Sequence, residues 1–151
     1  MTNDTLEQQY GLCIAHMNQM SPGALNELPL FHGTSYEAID SINQRGFDRS
    51  MAGKHATALG AGTYFARDAL YSTNKHFSPP DANGFSYMYR SRVAVGRYTR
   101  GSSSLRAAPA CDTGGFFDSV VDNTVAPTMF CVFRDAQSFP DYLIKFCKIT
   151  S

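Results

Sequence analysis

The chain has 151 residues, enough for one domain with its own core but too few for two domains and a linker. Hydrophobic residues make up 43% of it and charged residues 17%, as in globular proteins, and no apolar run is long enough to cross a bilayer. Basic and acidic side chains balance at 13 each, and no segment gathers the cations into a patch that would hold several phosphates. We therefore expect neither a membrane protein nor a DNA-binding protein.

The N-terminal residues lack the basic start and apolar core of a signal peptide, so we expect an intracellular protein, cytoplasmic or nuclear. The four cysteines are Cys13, Cys111, Cys131 and Cys147. They lie too far apart for a zinc site and are too few for a disulfide scaffold. No metal is expected.

The chain begins with a predicted helix and strand. Apolar residues recur at three- and four-residue steps over residues 6–17, with Thr5 as the candidate cap and Pro22 and Gly23 as the stop. Residues 28–32 form a short apolar run suited to a buried strand. The predicted order so far is helix, then strand.

A second helix is predicted to open at Ser35, to bury Ile39 and Ile42, and to end at Gly46. Residues 51–62 are rich in glycine and alanine and predict a long loop. A strand is predicted to follow this loop at 63–66.

The middle of the chain predicts a helix at about 68–77 and a turn cluster at 79–84. A long strand follows, with alternating apolar positions at Tyr87, Tyr89, Val93 and Val95. Residues 101–115 predict an exposed loop, and two strands at 129–133 and 142–148 close the chain. Several strands with short helices and long loops indicate an α+β domain on a mainly antiparallel sheet.

Two familiar nucleotide motifs are absent from the sequence. No glycine-rich loop with a following lysine occurs, and Gly60-Ala61-Gly62 lacks the rest of a dinucleotide fingerprint. The distinctive feature is Phe31-His32-Gly33-Thr34 at a strand end, followed later by Tyr64 and by Tyr71-Ser72. These residues predict a flat aromatic slot with backbone donors beside it.

Several segments, taken in chain order, carry a resemblance to a known family. They are Phe31-His32-Gly33-Thr34, Gly53-Lys54-His55, Gly62-Thr63-Tyr64-Phe65-Ala66, Tyr71-Ser72, Pro80-Asp81-Ala82-Asn83-Gly84, Phe117-Asp118-Ser119-Val120-Val121-Asp122, Pro127 to Phe133, Gln137 and Pro140-Asp141-Tyr142-Leu143-Ile144. From about residue 10 to 148 the chain resembles the catalytic domain of the poly(ADP-ribose) polymerase family, most closely the mono-transferring members that carry macrodomains.

The resemblance implies one ADP-ribosyltransferase domain of the diphtheria-toxin-like type over residues 1–151, with a split, mainly antiparallel sheet and short flanking helices. It implies NAD⁺ as co-substrate. A strand that usually precedes the first helix is not clearly present, and a helical regulatory domain has no room in these 151 residues.

The same resemblance implies the residues that bind NAD⁺, namely His32, Gly33, Thr34, Tyr64, Tyr71 and Ser72. His32 would bond the adenosine ribose, and the Gly33 backbone and Ser72 would bond the nicotinamide carboxamide. Tyr71 would stack on the nicotinamide ring and Tyr64 would pack against the nicotinamide ribose. The loop from Asp48 to residue 53 would cover the adenosine side.

The third catalytic position, after His32 and Tyr64, is Met129, where polymerising members carry a glutamate. A thioether neither stabilises positive charge on the ribose nor activates a sugar hydroxyl, so the resemblance implies transfer of one unit. The acceptor is expected to be a Glu or Asp carboxylate on a protein, this one included. Asp118, Asp122 and Asp135 lie near Met129 in sequence, and one of them taking over the carboxylate role is a minor alternative.

Two other functions stay open. One is that of a catalytically silent module that binds NAD⁺ or ADP-ribose, and the other is that of an enzyme that modifies RNA ends. Five arginines offer an edge for RNA or merely a solvated strand face: Arg90, Arg92, Arg97, Arg100 and Arg106.

Overall fold

The computed structural model describes residues 3–48 and 58–149. Its helices are α1 (Asp4–Met20), α2 (Ile39–Arg45) and α3 (Ala69–Ser72), with single 3₁₀ turns at Tyr36–Ala38 and Asp135–Gln137. Its strands are β1 (Glu27–Thr34), β2 (Thr63–Ala66), β3 (Ser86–Ala94), β4 (Tyr98–Arg100), β5 (Ser119–Val121), β6 (Met129–Val132) and β7 (Ser138–Phe146). The segment Gly53-Lys54-His55 and most of the expected adenosine-side loop lie outside the described residues.

The first helix begins earlier than predicted. Asn3, not Thr5, is its N-cap, because the Asn3 side chain accepts a hydrogen bond from the Leu6 N–H at 3.1 Å. The Asn3 amide also donates to the Asn43 carbonyl oxygen at 2.9 Å, which ties the start of α1 to the end of α2. The prediction of Thr5 as cap was wrong because two capping residues stand close together and tertiary contact selects between them.

The second helix opens with a 3₁₀ turn after Ser35 and ends at Gly46, as predicted. Gly46 has φ 79°, a left-handed conformation that glycine adopts without steric cost. Ile42 is buried, whereas Ile39 is only partly buried. Apart from the exposure of Ile39, the local pattern determined this helix.

The helix predicted at 68–77 is a single turn, α3, and the longer prediction was wrong. The Thr73 hydroxyl donates to the Leu70 carbonyl oxygen at 2.6 Å, and the Asn74 side chain accepts from the His76 N–H at 2.9 Å. Such local side-chain bonds offer the backbone an alternative to the helical ladder. The chain therefore turns at 73–78 and comes back under β1.

The seven strands form one sheet in the order β4-β5-β6-β2-β1-β3-β7. The pairs are antiparallel except β4 with β5, which is parallel. The α+β, mainly antiparallel prediction is confirmed. The strands β4 and β5 were not predicted, because three-residue strands carry almost no periodic signal.

Two strands differ in detail from their predictions. The first residues of β3 are all buried, Met88 as well as Tyr87 and Tyr89, because β3 is flanked by β1 and β7 and covered on both faces. The last strand, β7, begins at Ser138 and ends at Phe146 rather than spanning 142–148. It includes Pro140, which an edge strand tolerates.

The sheet splits between β1 and β2. These strands pair with Phe31 opposite Ala66, and the same register continued would place Gly33 opposite Tyr64. Residues 32–34 instead diverge from β2, which opens a cleft at the centre of the sheet. The main core packs behind this point and contains Leu30, Phe47, Phe65 and Tyr89. No helix within the described ranges has the length and apolar character needed to span a membrane.

Candidate active site

A cavity of about 290 Å³ occupies the cleft between the diverging strands. All seven residues that the sequence singled out line it: His32, Gly33, Thr34, Tyr64, Tyr71, Ser72 and Met129. Residues up to 97 positions apart in the chain are thus brought to one cavity, since the set runs from His32 to Met129. This volume lies close to the lower end of the range for small-molecule pockets, roughly 300 Å³.

His32 is held by the neighbouring strand. Its Nδ1 lies 2.6 Å from the carbonyl oxygen of Tyr64, in the gap where β1 and β2 separate. Because a carbonyl oxygen only accepts, the His32 Nδ1 carries a proton and donates to it. The rings of Phe47 and Phe65 lie 4.8 and 5.4 Å from the imidazole and fix its plane.

Gly33 lies against the returning segment at 77–78. A Cβ added to Gly33 would contact Ser78 Oγ and would lie 2.8 Å from the Phe77 carbonyl oxygen. The Ser78 hydroxyl in turn donates to the Ser72 carbonyl oxygen at 2.6 Å. The close approach of these backbones therefore requires glycine and sets Ser72, which is buried, beside the strand end.

Tyr71 and Phe77 form an aromatic pair at the cavity. Their ring centroids are 5.0 Å apart and the planes are tilted by 28°, a stacked arrangement. Tyr71 is 47% exposed and Phe77 partly buried, and both line the cavity. Phe77 was missed in the sequence because the predicted helix placed it at a helix end, whereas the turn at 73–78 brings its ring under Tyr71.

Tyr64 supports the opposite wall through its hydroxyl. The Leu59 N–H donates to the Tyr64 oxygen, and the Tyr64 O–H donates to the Gly60 carbonyl oxygen, both at 2.8 Å. Desolvation by burial raises the pKa of Tyr64. The phenol is therefore neutral, its one proton is committed to the backbone, and its ring forms part of the wall.

Met129 begins β6, opposite Ala66 of β2, and is partly buried in the cavity wall. Of the three neighbouring aspartates, Asp122 lines the cavity. Asp118 accepts a hydrogen bond from the Arg97 N–H at 2.9 Å and lies outside the lining, as does Asp135 in its 3₁₀ turn. All three aspartates are close to Met129 in sequence, so sequence distance did not show which of them lines the cavity. The loop that leads into β6 places Asp122 there.

Several further lining residues were not predicted: Phe47, Ala58, Leu59 and Phe77. Asp122, which the sequence offered only as a minor alternative carboxylate, lines the cavity as well. Asp48, the first residue of the loop expected over the adenosine side, also lines the cavity. Those that are apolar resemble ordinary core residues, so no local signal marked them. Within residues 3–48 and 58–149, no three His, Cys, Asp or Glu side chains converge in a group that would hold a metal ion.

Comparison with known proteins agrees with this arrangement. A family model of the poly(ADP-ribose) polymerase catalytic domain matches residues 2–114. The chain is 44% identical to human protein mono-ADP-ribosyltransferase PARP14 over 135 residues, which cover 87% of the chain and 8% of that protein. It is 43% identical to mouse protein mono-ADP-ribosyltransferase PARP12 over 124 residues, covering 81% and 17% of the two proteins.

A third relative is mouse protein mono-ADP-ribosyltransferase PARP10, 37% identical over 150 residues, or 98% of the chain and 16% of that protein. The chain thus spans less than a fifth of the length of each of these relatives. The family match runs through the strand-end histidine, Tyr64 and the Tyr71-Ser72 pair of the cavity. This chain belongs to the poly(ADP-ribose) polymerase catalytic domain family.

Proposed function

We propose that this chain transfers a single ADP-ribose unit from NAD⁺ to a protein acceptor and releases nicotinamide. The observation that carries the proposal is that His32, Tyr64 and Met129 line one cavity, with a thioether where chain elongation needs a carboxylate. The names of the relatives, all mono-ADP-ribosyltransferases, support the same reaction.

In this proposal the end of β1 holds the substrate. The His32 side chain bonds a ribose hydroxyl of the adenosine, and the bond from Nδ1 to the Tyr64 carbonyl oxygen holds its ring in place. The carboxamide forms hydrogen bonds with the backbone of Gly33 and Thr34, where β1 diverges from β2, and with the side chain of Ser72. The nicotinamide ring stacks on the aromatic pair of Tyr71 and Phe77, whose own rings are stacked 5.0 Å apart.

The reaction separates nicotinamide from C1 of its ribose. The electron pair of the broken C–N bond leaves with nicotinamide, which becomes neutral, and positive charge develops on the ribose. An acceptor carboxylate then forms the new C–O bond and cancels that charge, so no proton has to be removed. Met129 offers no base to activate a sugar hydroxyl, and for this reason we propose Glu or Asp acceptors, including residues of the chain itself.

The test is incubation of the purified chain with labelled NAD⁺ followed by a denaturing gel, with three variants beside it. We expect a discrete labelled band that His32→Ala abolishes. We expect the band to smear upward in Met129→Glu and to stay discrete in Met129→Gln, which matches the glutamate in size but lacks its charge. Serine or arginine adducts alone in mass spectrometry would contradict the carboxylate acceptor.

The same gel separates the alternative functions. Absence of label from a protein whose melting temperature still rises with NAD⁺ would favour a silent binding module. Label that appears only on an added RNA would favour modification of RNA ends. Three of the five arginines considered for that role contact other groups: Arg90 lies over Tyr142, Arg92 pairs with Glu27, and Arg97 donates to the Phe116 carbonyl oxygen.

A further inference from the structure

The cavity wall beside Met129 contains a carboxylate, that of Asp122. Its Oδ1 accepts hydrogen bonds from the N–H groups of Thr128 and Met129, at 2.9 and 3.1 Å, and its Oδ2 accepts from the Thr128 hydroxyl. The backbone adds a further bond from the Asp122 N–H to the Met129 carbonyl oxygen at 3.3 Å. The Asp122 carboxylate is therefore fixed next to the first residue of β6.

This carboxylate is ionised. Partial burial raises the pKa of Asp122, but the hydrogen bonds from Thr128 and Met129 together outweigh burial and lower the pKa below its usual value. The bond from the Arg67 guanidinium to the Asp68 carboxylate, at 3.1 Å, raises the pKa of Arg67, and Arg67 lies close enough for the Asp122 charge to contribute to this rise. Within the described ranges Asp122 forms no salt bridge, and Asp122 lines the cavity.

We propose that Asp122 stabilises the positive charge that develops on the nicotinamide ribose. A glutamate at position 129 would supply this stabilisation, and the thioether of Met129 cannot. This inference rests on the proposed function, because it assigns a residue to the same NAD⁺ cleavage. A fixed negative charge beside a developing cation lowers the barrier without any reorganisation at the moment of reaction.

The geometry also limits what Asp122 does. Three donors already occupy its two oxygens, which have about four lone-pair sites between them. A carboxylate so engaged is a weak base and does not remove a proton from an incoming sugar hydroxyl. Asp122 therefore supports bond cleavage without supporting chain growth, in agreement with transfer of one unit.

The decisive variant is Asp122→Asn. Asparagine keeps all three hydrogen bonds, because its carbonyl oxygen accepts from the two N–H groups and its amide donates to the Thr128 hydroxyl oxygen. The substitution thus removes the charge and leaves the geometry. We expect the rate of nicotinamide release at saturating NAD⁺ to fall by about ten- to a hundred-fold, while the Kd for NAD⁺ changes by less than about threefold.

The matched control is Asp112→Asn, which removes one carboxylate from an exposed position outside the cavity lining and should leave the rate unchanged. An Asp122→Asn protein that releases nicotinamide at the wild-type rate would overturn the inference. So would a rise in Kd that matches the fall in rate, because that pattern indicates a displaced wall rather than a lost charge.

A rescue experiment keeps the inference testable if Asp122→Asn lowers the melting temperature. Met129→Glu and Met129→Gln are each combined with Asp122→Asn, so that both double variants share any structural loss. We expect the glutamate to restore nicotinamide release and the glutamine not to; equal rates would overturn the inference. If the wild-type chain itself neither binds nor cleaves NAD⁺, it is the proposed function that fails.

Discussion

Substitution of Gly33 by alanine tests whether the close approach of two backbones shapes the cavity. Gly33 does not have a positive φ, so the cost of a side chain is steric alone. The added Cβ would lie 2.8 and 2.9 Å from the carbonyl oxygen and carbon of Phe77, distances that real Cβ atoms do not show. Backbone atoms cannot rotate away as a side chain would, so the 77–78 segment must shift.

Overpacking of this kind costs about 1–3 kcal/mol. For a domain of this size the melting temperature should fall by roughly 2–12 °C. The shift also moves the Phe77 ring, so nicotinamide should no longer raise the melting temperature of Gly33→Ala. Thermal unfolding with and without nicotinamide measures both effects.

Gly11→Ala is the matched control for this substitution. Gly11 lies inside α1, and a methyl group added there would have no atom within 4 Å outside its own helix backbone and chain neighbours, so alanine meets no obstacle. Helix propensity alone should then stabilise the protein by about 1 kcal/mol. If Gly33→Ala unfolded at the wild-type temperature and still responded to nicotinamide, the argument from close approach would be refuted.

Three further predictions concern single contacts. Tyr64→Phe removes the hydroxyl that binds Leu59 and Gly60 and should lower the free energy of unfolding by about 1–3 kcal/mol, measured by urea denaturation, because it leaves buried backbone groups unpaired. Asn3→Ala should cost about 1 kcal/mol in the same assay through loss of the α1 cap, and Asn3→Asp should retain most of the cap. Desolvation by burial raises the pKa of Tyr89 to about 12. An unfolded tyrosine loses its proton near pH 10, so above that pH the unfolded state binds fewer protons than the folded state. The free energy of unfolding therefore falls as the pH rises. Tyr89→Phe should reduce the slope of this fall by up to about 1.4 kcal/mol per pH unit.

Each of these predictions has an outcome that would contradict it. Wild-type stability of Tyr64→Phe would mean that water replaces the hydroxyl at the wall. Equal losses in Asn3→Ala and Asn3→Asp would assign the effect to the contact with α2 rather than to the cap. Tyr89→Phe also loses a hydrogen bond to Asn43 at 2.6 Å, which lowers the free energy of unfolding by the same amount at every pH. If the variant showed only this constant loss and kept the wild-type dependence on pH, the titration argument would be contradicted.

The sequence by itself determined the elements that rest on local patterns and the residues at their ends. The periodic apolar positions of α1, the short run of β1 and the stop at Gly46 follow from helix and strand geometry. The motif around His32 and Gly33 and the later tyrosines and Met129 could be assigned to one site because the family pattern orders them along the chain. The structure brings all of them to one cavity.

Only the tertiary structure decided the features that depend on pairing between distant segments. The three-residue strands β4 and β5 exist through their ladder and their place beside β6 rather than through propensity. The turn that ends α3 brings Phe77 under Tyr71, and the loop before β6 turns Asp122, and not Asp118, toward the cavity. The physical reason is the same in each case: hydrogen bonds and contacts between residues far apart in the chain outweigh local preferences of a fraction of a kcal/mol.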